Sequence, residues 1–109
     1  MDIKINKNDS ATVVIISGKV DAVTAPKLEE SLNELIDQGE TRIILDLDGI
    51  RYISSAGLRV LLATTQALYK KGKFALCSIP DDVMEVIDMV GFSKIMNIYK
   101  DVEEAEDNL

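Results

Sequence analysis

Histidine is absent from this 109-residue sequence, and there is only one cysteine. Without histidine the chain lacks the commonest general base, the Ser-His-Asp and Cys-His nucleophile systems, and every histidine-containing metal site. The single cysteine, Cys77, cannot form an internal disulfide, and the apolar run from Phe74 to Leu76 before it indicates a buried side chain. Most classes of enzyme are therefore excluded, and we expect a reducing compartment, the cytoplasm.

Basic residues and long apolar runs are also scarce. The chain has 12 lysines and arginines against 19 aspartates and glutamates, a formal charge of −7. This charge disfavours nucleic acids and anionic membranes, because phosphate contacts need clustered cations. No apolar stretch reaches the roughly 18 residues that span a bilayer, and the first residues lack the apolar core of a signal peptide. We expect no nucleic acid, no membrane and no export, which leaves proteins or small ligands as partners.

Hydrophobic residues make up 47% of the chain and aromatic residues 5%, which is typical of one compact domain, residues 1–109, with an aliphatic core. Turn residues at 8–10 separate the first two apolar segments and predict a hairpin. Alternating or β-branched runs predict strands at 3–6, 11–17, 42–47, 73–78 and 96–99, with a loop at 48–53.

Four helices are predicted from apolar residues at helical spacing and from capping residues. The hydroxyl of Thr24 is predicted to cap the first helix ahead of Pro26, and Ser54 and Ser55 precede the second. Asp101 and Glu104 form a capping box for a short last helix. The third helix begins at Pro80, and the predicted core positions on it and near it are Val83, Met84, Val86, Ile87, Met89, Val90 and Met96.

Strands separated by helices of these lengths indicate an α/β layer structure. The opening hairpin makes the sheet mixed rather than wholly parallel. We predict a single-layer mixed β-sheet of about four to five strands with an opening antiparallel hairpin, packed against about four helices.

The segment from Asp46 to Leu62 is the most informative part of the sequence. Two adjacent hydroxyls, Ser54 and Ser55, precede a small Ala-Gly step and then a leucine-rich helix. One serine is expected to cap this helix, because a side-chain oxygen at that position accepts from the free amides of the first turn. The absence of bulky side chains at the helix entrance favours close approach by another protein.

This segment resembles the signature of STAS domains, and specifically of stand-alone bacterial anti-sigma factor antagonists. In these proteins a strand ending Asp-Leu is followed by a loop and then by Asp-Ser-Ser/Ala-Gly-Leu at a helix start. The resemblance also covers residues 16–21 with Thr24 and Ala25, and the closing segments 91–99 and 101–105. Nearly the full chain is covered, so the resemblance implies a STAS-like fold.

The resemblance further implies a switch operated by serine phosphorylation, with Ser55 as the phosphoacceptor. The implied partners are an ATP-dependent serine kinase that is itself an anti-sigma factor, and a metal-dependent serine phosphatase. Unphosphorylated antagonist binds the kinase and frees the sigma factor; phosphorylated antagonist does not. The protein would be a substrate and binding module with no catalytic residue and no cofactor. The site neighbours and partner-binding positions are Asp21, Thr24, Ser54 (in place of the family's usual Asp), Ala56, Gly57 and Leu58.

Two alternatives remain open from the sequence. One is a STAS relative with another role, such as a stressosome component, a lipid-transport accessory or a nucleotide-binding module. The other is an aspartyl phosphatase of haloacid-dehalogenase type, because Asp46 and Asp48 follow an apolar strand with the spacing of that family's nucleophile and acid. The structural interpretation of the same two carboxylates is that they finish a strand and accept hydrogen bonds from loop amides.

Overall fold

The computed structural model describes all 109 residues as five strands, four α-helices and one short 3₁₀ turn. None of the helices combines the length and the apolar character needed to cross a bilayer. The strands are β1 (Asp2–Lys7), β2 (Thr12–Val20), β3 (Arg42–Ile53), β4 (Lys73–Cys77) and β5 (Asn97–Tyr99). The helices are α1 (Ala25–Asp37), α2 (Ser55–Leu68), α3 (Asp81–Met89) and α4 (Val102–Asp107), and the 3₁₀ turn is Phe92–Lys94.

The five strands form one sheet in sequence order. β1 pairs with β2 antiparallel, whereas β2, β3, β4 and β5 are parallel to one another. The predicted mixed sheet with an opening hairpin is therefore confirmed. Because β2, β3 and β4 run in the same direction, the segments that follow them lie along one edge of the sheet, where α/β proteins commonly place their functional groups.

The two faces of the sheet are covered unequally. Apolar residues of α1, α2 and α3 join the larger core cluster on one face, and Leu28, Leu61 and Ile87 are fully buried there. The other face is covered by α4, whose Ala105 packs with Val13, Ile44, Ala75 and Cys77. Both faces of the central strands are thus buried, which explains why the sequence of β2 is continuously apolar rather than alternating.

The predicted loop at 48–53 is wrong, because β3 continues to Ile53 and stays paired with β2. Two register shifts, between Ile15 and Ser17 and between Gly18 and Lys19 of β2, each insert one more residue into β3 than into β2. Such bulges bend and twist a strand without ending it. Gly49 permits one of them, since a Cβ there would lie 2.8 Å from the Cβ of Ser17.

The predicted inward face of the third helix is correct for Val83 and Ile87, which are buried, but wrong for Val90, which is 48% exposed. The helix ends at Met89, and Gly91 then turns the chain with φ +79°. Val90 lies at the C-cap, where helical periodicity no longer fixes the direction of a side chain. Met89 is 80% exposed, so it is not core filler, whereas Met96 is buried as predicted.

Candidate functional site

The start of α2 is built around Ser54, which follows directly after β3. Its backbone is extended, and its Oγ accepts from the amide of Gly57 at 3.4 Å. Its carbonyl oxygen accepts from the amide of Leu58 at 2.9 Å. The half-buried Ser54 is therefore the N-cap of α2, as the sequence predicts for one of the two serines.

Ser55 is the first residue of α2, and its side chain is exposed. Its hydroxyl makes no hydrogen bond with another residue of the chain. The first-turn amides of Ser55 and Ala56 have no acceptor within the helix, and the helix dipole places partial positive charge at this end. No acidic residue occurs in the first turn. A negative group attached to Ser55 would consequently be stabilised by its surroundings.

The small residues after Ser55 serve packing as well as access. A Cβ on Gly57 would lie 2.7 Å from Cγ1 of Ile53 and 2.8 Å from Cγ1 of Val20. The first turn of α2 therefore rests directly on the ends of β2 and β3, at a distance that only glycine allows. Leu58 follows and is buried in the larger core cluster. Gly57 and Leu58 fix the helix start, Ala56 is partly buried against the same core, and Ser55 remains exposed.

Asp21 organises the loop between β2 and α1. Its Oδ1 accepts from the amides of Val23 at 2.9 Å and Thr24 at 3.0 Å. The hydrogen bond from the Thr24 amide is the main reason that the pKa of Asp21 lies below its ordinary value of 3.8. Because these amides are donors, the ionised carboxylate is the form that holds the loop closed.

Thr24 is the N-cap residue of α1 by position. The prediction that its hydroxyl caps the helix is wrong, because the hydroxyl bonds none of the helix amides. The hydroxyl instead donates to the carbonyl of Lys19 at 2.8 Å and accepts from the amide of Asp21 at 2.9 Å. Thr24 and Asp21 bond each other within the loop, and the Thr24 hydroxyl makes no bond to the helix amides. The Thr24 side chain therefore stabilises the loop rather than the helix.

The loop around Asp21 and the start of α2 are neighbours. The amide of Ser54 donates to the carbonyl of Val20 at 2.8 Å, directly before Asp21. Ala22, Ala25 and Pro26 line one side of a shallow groove of about 370 Å³, and Ala56 and Arg59 of α2 lie across it. The structure thus brings the predicted site residues of the two segments, 21–25 and 54–58, to one edge of the sheet, which we call the Ser55 edge.

A comparison with protein-family models matches residues 2–105 to the STAS domain. The chain belongs to the STAS domain family. It is 36% identical over 106 residues to BtrV of Bordetella bronchiseptica, provisionally named an anti-sigma factor antagonist, covering 96% of this chain and 91% of BtrV. The crystal structure of an anti-sigma factor antagonist from Mycobacterium paratuberculosis matches with a TM-score of 0.91 and 26% identity, covering 98% of this chain and 92% of that one.

The Bacillus protein SpoIIAA, described as an anti-sigma factor antagonist and a cell fate determinant, has the same fold at 20% identity. Its unphosphorylated form matches with a TM-score of 0.83, covering 98% of this chain and 95% of that chain. Its phosphorylated form matches with a TM-score of 0.75, covering 98% of each chain. Both forms of SpoIIAA therefore keep the STAS architecture found here.

The phosphatase alternative does not fit this STAS domain. Asp46 lies seven residues before the end of β3, opposite Cys77 of β4, and not at the carboxyl end of a strand. Its Oδ1 accepts from the amide of Asp48 at 3.0 Å. The structural interpretation of this pair is therefore right that Asp46 accepts from a backbone amide, but wrong that the two residues finish the strand, because both lie inside β3. No group of three or more acidic or cysteine side chains is arranged to hold a metal ion.

Two exposed apolar residues near this edge of the sheet are not identified by the sequence analysis. Val23 is 85% exposed in the loop beside Asp21, and Tyr52 is 51% exposed near the end of β3. Tyr52 also lines a second groove, of about 230 Å³, with Arg51 and Val86. A single apolar residue in a loop or a bulged strand carries no periodicity, so only the fold places Val23 and Tyr52 near the Ser55 edge.

Proposed function

We propose that this STAS-domain protein is an anti-sigma factor antagonist that acts in the cytoplasm and is switched by phosphorylation of Ser55. In its unphosphorylated form it binds an anti-sigma factor and releases the sigma factor, and the phosphorylated form does not bind. The exposed, unbonded hydroxyl of Ser55 at the first residue of α2 carries this proposal. The named roles of BtrV and of the Mycobacterium paratuberculosis protein support it.

The neighbouring serine is a poorer acceptor. Ser54 is half-buried, and its Oγ already accepts from the amide of Gly57. A phosphate on Ser54 would have to leave the cap position or displace the chain that follows β3. Ser55 has neither constraint, because its side chain projects from the first turn into solvent. We therefore assign Ser55 as the phosphoacceptor and Ser54 as the helix cap.

Phosphorylation of Ser55 is expected to block an interface without unfolding the domain. The phosphate adds about −1.5 to −2 charges at neutral pH and lies at the positive end of the α2 dipole, where the fold tolerates it. A partner carboxylate about 5 Å away would be repelled by roughly 3 kcal/mol per unit charge pair at an effective dielectric of about 20. Moving a complex from about 99% to about 1% occupancy requires about 5.5 kcal/mol. One phosphate within a docking surface can supply most of that difference.

The surface available to the partner surrounds Ser55. It includes the exposed side chains of Val23 and Tyr52 and the small residue Ala56. Apolar and small residues of this kind form the close-packed centre of protein interfaces, and polar residues form the rim. We propose that the partner is a serine kinase that is itself the anti-sigma factor, and that a metal-dependent serine phosphatase reverses the modification. The protein then needs no catalytic residue and no cofactor of its own.

The test is incubation of the purified chain with candidate anti-sigma kinases and ATP, followed by mass spectrometry and by calorimetric measurement of binding. We expect one phosphate on Ser55, none in Ser55→Ala, and retained phosphorylation in Ser54→Ala. Ser10 lies in an exposed turn near the amino terminus, far from Ser55 in the sequence, and Ser10→Ala is the matched control. Phosphate that persists in Ser55→Ala and disappears in Ser54→Ala would show that the acceptor assignment is wrong.

The effect on binding needs a separate measurement. The phosphorylated chain should lose affinity for the kinase while its circular dichroism spectrum stays unchanged. Equal affinity of both forms, or a loss of helix signal on phosphorylation, would contradict occlusion of an interface.

A further inference from the structure

An exposed apolar groove lies at the end of α2 opposite Ser55. It consists of two adjoining depressions of about 270 and 260 Å³, which share Thr65, Tyr69 and Ile95. Tyr69 is 78% exposed and Ile95 is 58% exposed. Leu62, Leu68 and Phe74 complete the apolar lining. We call this groove, lined by Leu62, Thr65, Leu68, Tyr69, Phe74 and Ile95, the distal groove.

A cleft of about 390 Å³ adjoins the distal groove and is lined by no apolar and no acidic side chain. It shares Gly72 and Lys73 with the groove. We call it the basic cleft; its cationic side chains are Arg42, Lys70, Lys71 and Lys73. These are four of the 12 basic residues in a chain with 19 acidic ones. The one ion pair in the structure joins Lys7 to Glu40, so none of the four cations of the cleft is paired with a carboxylate.

The backbone of the basic cleft is held rigidly. The amide of Lys73 donates to the carbonyl of Thr41 at 2.7 Å, and Arg42 pairs with Lys73 across β3 and β4. A Cβ on Gly72 would overlap the carbonyl group of Thr41, so the two segments cross at a distance only glycine allows. The backbone positions that carry the cations are therefore fixed relative to one another, and only the side chains remain to be ordered when a ligand binds.

The helix end explains only part of this charge. Lysines in or just after the last turn of a helix complement its dipole, which accounts for Lys70 and Lys71. Arg42 and Lys73 each begin a strand and have no helix carbonyls to neutralise. Four unpaired cations beside an apolar groove, in a chain of net charge −7, form a local surface with its own binding preference.

We propose that the distal groove and the basic cleft together bind an acidic, amphipathic segment of a partner protein. The apolar side chains of such a segment would occupy the groove against Tyr69 and Ile95, and its carboxylates would meet Lys71 and Lys73. The concave apolar part distinguishes this ligand from a free phosphate. The net negative charge of the chain disfavours an anionic lipid surface.

This surface is separate from the Ser55 edge. Tyr69 lies fourteen residues after Ser55 on the same helix, which is about 21 Å at 1.5 Å per residue. Arg42 and Ile53 begin and end β3, so the basic cleft and the start of α2 lie at opposite ends of the sheet. A segment bound at the distal groove would leave Ser55 accessible, and the proposal holds whether or not Ser55 is phosphorylated.

The test is an NMR titration of the full ¹⁵N-labelled chain with a synthetic peptide of about ten residues that places leucine and phenylalanine on one helix face and glutamate on the other. We expect shifts in the amide signals of Tyr69, Lys73 and Ile95 and none at Ser55. Lys71→Glu combined with Lys73→Glu should weaken binding about tenfold or more through the loss and reversal of charge contacts. Lys4→Glu with Lys27→Glu, both exposed elsewhere, is the matched control and should change affinity little.

Tyr69→Ala tests the apolar half independently and should also weaken binding, without affecting folding because the side chain is 78% exposed. Three results would overturn the proposal: no shifts near Tyr69 and Lys73, the same shifts produced by inorganic phosphate alone, or binding to anionic phosphatidylserine vesicles without binding to the peptide. Failure of Ser55 phosphorylation would leave these outcomes unchanged, so the two proposals are tested separately.

Discussion

The amide of Ser54 donates to the carbonyl of Val20 over 2.8 Å. This bond joins the last residue of β2 to the cap of α2, although 34 residues separate them along the chain. The loop held by Asp21 and the helix that begins with Ser55 are therefore positioned by the same pair of strand ends.

Replacement of the cap separates the roles of the two serines. Ser54→Ala removes the acceptor for the Gly57 amide, and we expect a loss of about 0.5–1 kcal/mol in unfolding free energy, at the low end for an N-cap because the bond is 3.4 Å long. Ser55→Ala should change stability by less than about 0.5 kcal/mol, because the side chain is exposed and unbonded. Urea denaturation of both variants measures the difference. Equal destabilisation by the two changes would contradict the assignment of Ser54 as the cap.

Gly57→Ala should destabilise the protein although alanine is the better helix former. The added Cβ would lie within 2.8 Å of side-chain atoms of Ile53 and Val20, both of which are buried. Overpacking costs about 1–3 kcal/mol and the better helix propensity of alanine offsets about 1, so we expect a net loss of roughly 1 kcal/mol and at most about 2. The exposed Ala63→Ser on the same helix is the control. A stabilised Gly57→Ala protein would show that the helix start can move away from the strands at no cost.

Much of this fold follows from the sequence, and its departures from prediction have physical causes. The strand at 42–47 was predicted because apolar residues are continuous there. Its extension to Ile53 was missed because the two bulges break the alternation on which strand prediction depends. The predicted cap at Thr24 is absent because its hydroxyl accepts from the amide of Asp21 and donates to the carbonyl of Lys19, both within the loop before the helix. Local pattern fixes which segments form elements, whereas long-range pairing decides where they end.

The candidate site was predictable to a similar extent. Ser54 and Ser55 were found from their position between a strand and a leucine-rich helix. That Asp21 lies near them follows only from the parallel pairing of β2 with β3, which the resemblance implies and the residues alone do not. The basic cleft joins Arg42 to residues 70–73, and no local pattern connects two segments so far apart in the chain.

Cys77 should be unreactive in the folded protein. The side chain is fully buried, and burial raises the pKa of its thiol to about 11. Near neutral pH the thiolate, which is the nucleophile, is therefore scarce as well as inaccessible. We expect slow reaction with a disulfide reagent in buffer and rapid reaction in denaturant, measured by absorbance of the released thiolate. Rapid labelling of the native chain would indicate that β4 opens from the face covered by α4.

Asp21 makes the stability of the Ser55 edge depend on pH. Its folded pKa is below the ordinary 3.8, mainly because the Thr24 amide donates to the carboxylate. The stabilising contribution is therefore present above 3.8 and is lost as pH falls through the folded pKa. Asp21→Asn should be less stable than the unmodified chain near neutral pH. This difference in stability should disappear in acid, where Asp21 is protonated. Thermal unfolding across this pH range measures the difference in stability, and Asp9→Asn, at an exposed turn residue, is the matched control.

Arg59 should affect the phosphate once Ser55 is modified. Ser55 and Arg59 are four residues apart on α2 with the acidic group nearer the amino end, which is the favourable order for an ion pair on a helix. The Arg59 side chain is exposed and makes no salt bridge in the unmodified chain, so it is free to pair. An adjacent positive charge favours the doubly ionised phosphate, and it should lower the second pKa of phosphoserine, ordinarily near 6, by about 0.2–0.4.

The measurement is a pH titration of the ³¹P signal in phosphorylated chain and in phosphorylated Arg59→Gln, where the pKa should rise towards the ordinary value. Arg42→Gln, at the far end of the sheet, is the matched control and should leave the titration unchanged, because charges separated by more than about 10 Å are screened at ordinary salt. Raised salt should shrink the difference between the Arg59 forms, since the pair is exposed to solvent. If the phosphorylated chain with Arg59 and phosphorylated Arg59→Gln gave identical titration curves, the phosphate would be directed towards the loop between β2 and α1 and away from the helix face. The backbone amides at the start of α2 would then be its main stabilising partners.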